Sequence, residues 1–343
     1  MNITLSYKTA VLFIFLLSIF VTSCKNNKPD AQATAILNST AKPDQKLREL
    51  DALIEKSPNN AILYYRRALM NNDLKQYEVA KADIEKAVSL DSTKSDYYIA
   101  EGDIYMNVLY SKGAIASYQK AILCDTTNGN AYEKLGELAY YIKDRETSIT
   151  NLNAAIRHDR TMAKAWYFKG LNYSETGDNR VAISNFQKAI DVNPNYFDAY
   201  LNIGVLYAGD KDKRALDYYN TAIQLQPVNP AALYARGLYY QNIDSIQLAI
   251  NDYNSILKRI PDYKSANYNL GYCYFSLGQY EKALPYFTVA IEKDPGYVEA
   301  YYGRGLCYEN LKKNELARAE FKKALQLKPG NKDVERELNG LGK

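Results

Sequence analysis

Apolar residues in this chain recur on two scales. Within short stretches they fall three and four residues apart, which marks one face of an α-helix. In residues 163–196 one such stripe is Trp166, Gly170 and Tyr173, and a second is Ala182, Phe186 and Ala189. On the longer scale the same residue types return after 34 positions. Gly102, Gly136, Gly170, Gly204, Gly237, Gly271 and Gly305 are spaced by 34 at every step except one of 33. Two alanine series run in phase with them, one through Ala80, Ala114, Ala182 and Ala317 and one through Ala87, Ala121, Ala155 and Ala324. Each period therefore predicts two amphipathic helices joined by a turn. The small residues let the helices approach, aromatic side chains fill the space beside them, and a proline after the second helix forces the chain to turn. No single pair buries its own face, so neighbouring pairs must stack into a continuous core.

Residues 163–196 hold Trp166, Gly170, Tyr173, Ala182, Phe186, Ala189 and Pro194 at spacings that resemble the tetratricopeptide repeat. The resemblance covers 61–331 as eight units, starting at 61, 95, 129, 163, 197, 230, 264 and 298. It implies an all-α fold, a right-handed superhelical solenoid of helix-turn-helix units. Residues 44–60 read as a partial first repeat, one helix long. Residues 332–343 are charged, with Val334 and Leu338 on the apolar side, and predict a capping helix over the last unit. Four departures mark 129–162 and 208–256 for irregular stacking. They are Ala139, Ser148 and Ile256 at consensus positions, and a residue missing from the turn 208–214.

The N-terminus reads as an address rather than a fold element. Lys8 precedes the apolar run AVLFIFLLSIFV, which is short for a membrane span and suits a signal peptide over 1–23. Val21-Thr22-Ser23-Cys24 resembles a bacterial lipobox, with Cys24 as the lipid acceptor. A plain signal peptide or a signal anchor with a chance cysteine is the alternative. Lys25 follows where inner-membrane lipoproteins often carry aspartate, so the expected destination is the outer membrane of a Gram-negative envelope. The start of the mature chain, Cys24-Lys25-Asn26-Asn27-Lys28, is similar to lipoproteins of Bacteroidota. Residues 24–43 are expected to be a flexible tether with a short helix around Ala31–Leu37.

Composition narrows the chemistry. A net charge of +4 over 343 residues gives no strong basic face, so nucleic acid is not expected as a partner. A single histidine, His158, leaves little for zinc sites or for histidine-based catalysis. No phosphate loop and no paired carboxylates on one exposed face stand out. Cys273 and Cys307 hold the same place in adjacent units, too far apart for a disulfide, and are expected to be buried small hydrophobes. The expectation is a chain that is not an enzyme and needs no cofactor or metal.

Function must then come from surface. In tetratricopeptide-repeat proteins the first helices line the concave face, so the resemblance implies a groove built from the second, fifth, sixth, ninth, twelfth and thirteenth residues of each unit. Here that gives Tyr65, Tyr167, Leu201, Asn202, Tyr234, Tyr268, Asn269, Tyr272, Phe275 and Tyr302. Tyrosine is rigid and amphipathic, and asparagine pairs with peptide backbone, so the groove suits an extended peptide or a partner helix. Compositional drift toward Tyr and Asn would also produce these residues, since the chain holds 33 tyrosines. The leading reading is a membrane-anchored scaffold for a protein partner, an envelope-complex subunit or a periplasmic enzyme. The alternative is a glycan-binding surface lipoprotein for nutrient capture.

Overall fold

A computed structural model describes residues 29–341. The signal-peptide and lipidation readings, Cys24 included, fall outside the described residues. Among the described residues there are nineteen helices and no strand. Two helices, α1 (Pro29–Asn38) and α2 (Pro43–Lys56), precede eight pairs that match the eight sequence periods. The pairs are α3 (Ala61–Asp73) and α4 (Tyr77–Leu90), α5 (Ser95–Asn107) and α6 (Ser111–Cys124), α7 (Gly129–Tyr141) and α8 (Arg145–His158), and α9 (Ala163–Ser174) and α10 (Asn179–Val192). They continue with α11 (Phe197–Gly209) and α12 (Arg214–Leu225), α13 (Pro230–Asn242) and α14 (Ile246–Leu257), α15 (Lys264–Ser276) and α16 (Tyr280–Lys293), and α17 (Val298–Asn310) and α18 (Asn314–Leu327). The last helix is α19 (Lys332–Gly340). The chain forms two compact bodies, an N-terminal one up to Phe168 and a C-terminal one from Lys169.

Local chemistry starts and stops these helices. The side chains of Asn60, Asn128, Asp144, Asn229 and Asn331 accept hydrogen bonds from free N–H groups of the first turn that follows each. Pro43 and Pro230 open their helices at positions that need no donor. Between the two helices of every pair the fifteenth residue of the repeat turns left-handed. Lys75, Leu109, Lys143, Gly177, Lys211, Asp244, Gly278 and Lys312 all have positive φ. Only two of these eight are glycine, so composition hides the turn that closes each first helix.

Close approach explains the glycine and alanine series. A Cβ on Gly170 would lie 2.5 Å from the Phe186 ring, and one on Gly237 would lie 2.7 Å from the Tyr253 ring. The aromatic ring of the second helix therefore lies flat against the bare backbone of the first. Ala80, Ala114, Ala182, Ala249, Ala283 and Ala317 are fully buried beside these contacts. In the third repeat Ser148 takes the alanine place, and its Oγ donates to the Gly136 carbonyl at 2.7 Å. The hydroxyl is satisfied internally, and α7 and α8 pair without disruption. Ala139 is buried within an α7 of ordinary length, and the other two departures coincide with short second helices. The missing residue at 208–214 leaves α12 with 12 residues, and α14, which carries Ile256, also ends after 12, where most second helices run 14.

An arginine staple, which the sequence periodicity does not announce, recurs in three repeats. Arg67 pairs with Asp83 of its own repeat at 2.6 Å and with Asp51 of the preceding helix at 2.7 Å. Arg236 pairs with Asp252 at 2.6 Å and also donates to Asn220. Arg304 pairs with Glu320 at 2.9 Å and donates to Thr288 at 3.0 Å. Each guanidinium sits on a first helix and joins the second helices on either side of it.

The ends are also packed. Val334 of α19 is fully buried with Phe321 and Ala324, and Leu338 and Leu341 lie against the same core. Part of the stretch expected as a tether is ordered. Ala33 of α1 is buried with Leu50 and Leu63, and Ile36 and Leu37 pack beside them. Ala33, Ile36 and Leu37 share one helical face, and the partial repeat at α2 offers that face a partner.

Candidate partner-binding face

Position five of the repeat is largely an internal packing position. Tyr65 stacks on Tyr97 with ring centroids 4.7 Å apart, and Tyr167 meets Phe168 edge-on at 5.6 Å. Leu201 packs against Phe197, Ala222 and Ala232. Tyr234 lies against Tyr253 and Tyr263, Tyr268 against Phe287 and Tyr297, and Tyr302 against Phe321. Burial pushes the Tyr268 phenol above its ordinary pKa. The asparagines are engaged within the chain. Asn269 is buried, and its Nδ2 donates to the Tyr234 hydroxyl at 3.0 Å and to the Ser265 carbonyl at 2.9 Å. Asn202 Nδ2 donates to the Asp198 carbonyl at 2.8 Å. Phe275 rests on Tyr280 at 5.5 Å. Tyr65, Leu201, Tyr234, Tyr268 and Asn269 make contacts between neighbouring repeats, the others pack within their own, and all are at least partly buried.

Position nine differs. In the C-terminal body Val205, Leu238 and Tyr272 occupy it in three consecutive repeats, exposed by 48%, 40% and 46%. The sequence reading included Tyr272 and missed Val205 and Leu238. The signal was present in the same ninth-position rule, but aliphatic residues at a 34-residue spacing read as core until burial is measured. Beside them is a hollow of about 350 Å³, lined by Val205, Ala208, Leu238, Tyr239 and Asn242 among others.

In the N-terminal body position nine is Leu69 in the first repeat and the paired carboxylates Asp103 and Glu137 in the next two. Lys134 bridges to Asp103 at 2.8 Å, and Lys164 bridges to Glu137 at 2.6 Å. Tyr118 donates its hydroxyl to Asp103 at 2.7 Å, and Asn107 donates to Asn72 at 2.7 Å. These groups surround a cavity of about 330 Å³ that also touches Met106 and Tyr141. The nearby Glu133 carboxyl is buried, and desolvation raises its pKa against the opposing pull of Lys164. Ion pairs link α5 to α7 and α7 to α9, and the Asn107–Asn72 hydrogen bond links α5 to α3, so these polar groups are satisfied within the chain.

Other candidate chemistry falls in structural places. His158 closes α8 and stacks on Tyr132 at 5.5 Å. Cys273 and Cys307 are fully buried, and desolvation pushes both thiols up to about 12. Among the described residues no three His, Cys, Asp or Glu side chains gather as metal ligands. No helix among them is long and apolar enough to cross a membrane.

Models of the tetratricopeptide repeat match residues 59–94, 170–211, 234–298 and 277–332. The chain carries tetratricopeptide repeats. Solved repeat structures agree on the fold. The APC/C hetero-tetramer Cut9-Hcn1 aligns over 96% of this chain and 66% of its own, at 16% identity and a TM-score of 0.55. PilF of Pseudomonas aeruginosa aligns over 60% of this chain and 94% of its own, at 20% identity and a TM-score of 0.54. A tetratricopeptide repeat protein of Parabacteroides merdae aligns over 73% of this chain and 99% of its own, at 14% identity and a TM-score of 0.53. No protein of curated function matches the sequence. The tetratricopeptide pattern accounts for the glycine, alanine and aromatic series.

Proposed function

We propose that this chain is a non-catalytic scaffold that holds a protein partner on the first-helix face of its C-terminal body. In this reading Cys24 carries lipid and tethers the scaffold in the cell envelope, at the outer membrane. The observation that carries the partner reading is the row Val205, Leu238 and Tyr272, three large apolar side chains left nearly half exposed in consecutive repeats. Neighbouring packed helices lie about 10 Å apart, so the row offers an apolar contact at roughly that interval. A polyproline-II segment advances about 3.1 Å per residue with three residues per turn, so every third side chain would meet the row. A helix lying along it would use residues about seven apart, at 1.5 Å rise each. The partner is thus a segment with apolar residues at one of these spacings, such as a subunit of an envelope complex or a periplasmic enzyme.

The test is capture of that partner by the full chain and by a Val205→Asp, Leu238→Asp, Tyr272→Asp variant. All three sites are exposed, so the variant keeps its helicity. Loss of the partner from the variant is expected, and equal capture by both chains would refute the assignment. One feature favours a second reading, glycan capture. A hollow of about 710 Å³ between α14 and α16 is lined by Asn251, Asn254, Ser255, Pro285 and Tyr286 among others, with Lys258 its one charged group. Amides beside a ring suit an uncharged polyol. Glycan-array binding that Asn251→Ala and Asn254→Ala abolish would favour it.

A further inference from the structure

The turn of the second repeat, Val108-Leu109-Tyr110, is apolar throughout, whereas the left-handed residue of every other repeat is lysine, aspartate or glycine. Leu109, at the tip of the α5–α6 turn, is 92% exposed and holds a left-handed φ of 59°. A leucine there carries backbone strain, and it buries nothing in return. The equivalent residue is aspartate in the sixth repeat and glycine in the fourth and seventh. Tyr110, Tyr141, Ile142 and Leu74 are exposed beside it. These residues share one edge of the N-terminal body. Asn107 donates to Asn72, and both line the same cavity as Tyr141, which sets the three turns side by side. The outermost, left-handed residues of the three turns are Lys75, Leu109 and Lys143 in order.

We propose that this edge rests on a lipid bilayer, with Leu109 as an inserting tip and Lys75 and Lys143 reaching anionic headgroups. Three observations choose a bilayer over a protein partner. The apolar groups protrude on turns, which suits insertion into a soft surface rather than a fitted groove. Tyrosines stand just behind the tip, at the level an aromatic belt occupies. Lysines flank the tip on both sides, and a cation near an anionic leaflet contributes to binding. Asp73 and Asp144 also lie in these turns, but Asp144 accepts from Thr147 at the start of α8, behind the tip.

The test places an environment-sensitive fluorophore on single cysteines in the full chain, with Cys24→Ala and Cys124→Ser as background. Cys273 and Cys307 are buried thiols and stay unlabelled. One label replaces Ile142, beside the tip. A control replaces Leu123, which is 80% exposed near the far end of α6. A third replaces Asn26 and reports the N-terminal segment. The probe is a phosphatidylcholine/phosphatidylglycerol vesicle with a quencher on its lipid chains. The proposal expects a blue shift and quenching at 142, none at 123, and loss of the signal at 142 when Leu109→Asp is added. That substitution should fold normally, because Asp244 already holds the same conformation in the sixth repeat. Lys75→Glu with Lys143→Glu should cut the signal at 142 on these vesicles. Quenching at 26 but not at 142 would overturn the edge proposal and leave the N-terminal association standing. Equal quenching at 142 and 123, no quenching at all, or an unchanged signal with Leu109→Asp would also overturn it.

Discussion

Single residues decide how closely two helices meet. Adding one methyl at Gly170 would drive it to 2.5 Å from the Phe186 ring, which is itself fully buried. Gly170→Ala should therefore destabilise the chain by about 1–3 kcal/mol, the usual scale of overpacking, visible as a lower urea midpoint. Sequence alone made this contact legible, because glycine at the eighth place and an aromatic residue sixteen further on recur together. Burial of polar groups was not legible. Glu133 stands at a position where five of eight repeats carry tyrosine. Desolvation lifts its pKa, so the native state holds its proton to higher pH than the unfolded chain does. Stability from this residue is then greatest at low pH and is lost as pH rises out of the ordinary carboxylate range through the raised native value. Glu133→Gln should raise the melting temperature at pH 7 more than at pH 4.5. An equal change at both pH values would show that Lys164 and Lys134 offset the burial.

At the scale of elements, the arginine staples carry much of the register between repeats. The Arg236 guanidinium is about a fifth exposed, and its partner Asp252 is almost fully buried. Arg236→Met would strand that carboxylate, at a cost of roughly 2–4 kcal/mol, below the full value for a completely buried pair. Adding Asp252→Leu removes the stranded charge and should recover most of the loss. A double-mutant cycle in urea measures this, and a double variant no better than the single would contradict it. Helix boundaries followed from the period, since each repeat supplies its own turn. The staple escaped that logic because it occupies a place where other repeats have leucine, isoleucine, lysine or glutamate. Only three-dimensional pairing across 16 residues in both directions reveals it. Ser148 likewise reads as a fault in the pattern, yet its hydroxyl simply bonds the adjacent backbone.

For the whole molecule, the repeat pattern specified an all-helical stack, whereas the contact surface had to be read from exposure. The sequence placed the binding groove on tyrosines at position five. Most of those rings pack on the aromatic residues of their own second helix, because the glycine beneath leaves space there. Replacing Tyr234, Tyr268 or Tyr302 would thus unsettle the core before it tested any partner. Position nine is the better probe, and the central claim is that a protein docks on it. The most direct measurement is photo-crosslinking of the full chain in the cell that makes it. A photoreactive residue would replace Val205, Leu238 or Tyr272 in turn, with Leu248 of α14, also exposed, as control. The account predicts one discrete protein adduct shared by positions 205, 238 and 272 and absent from 248. No adduct at these three positions, or the same adduct from 248, would contradict it.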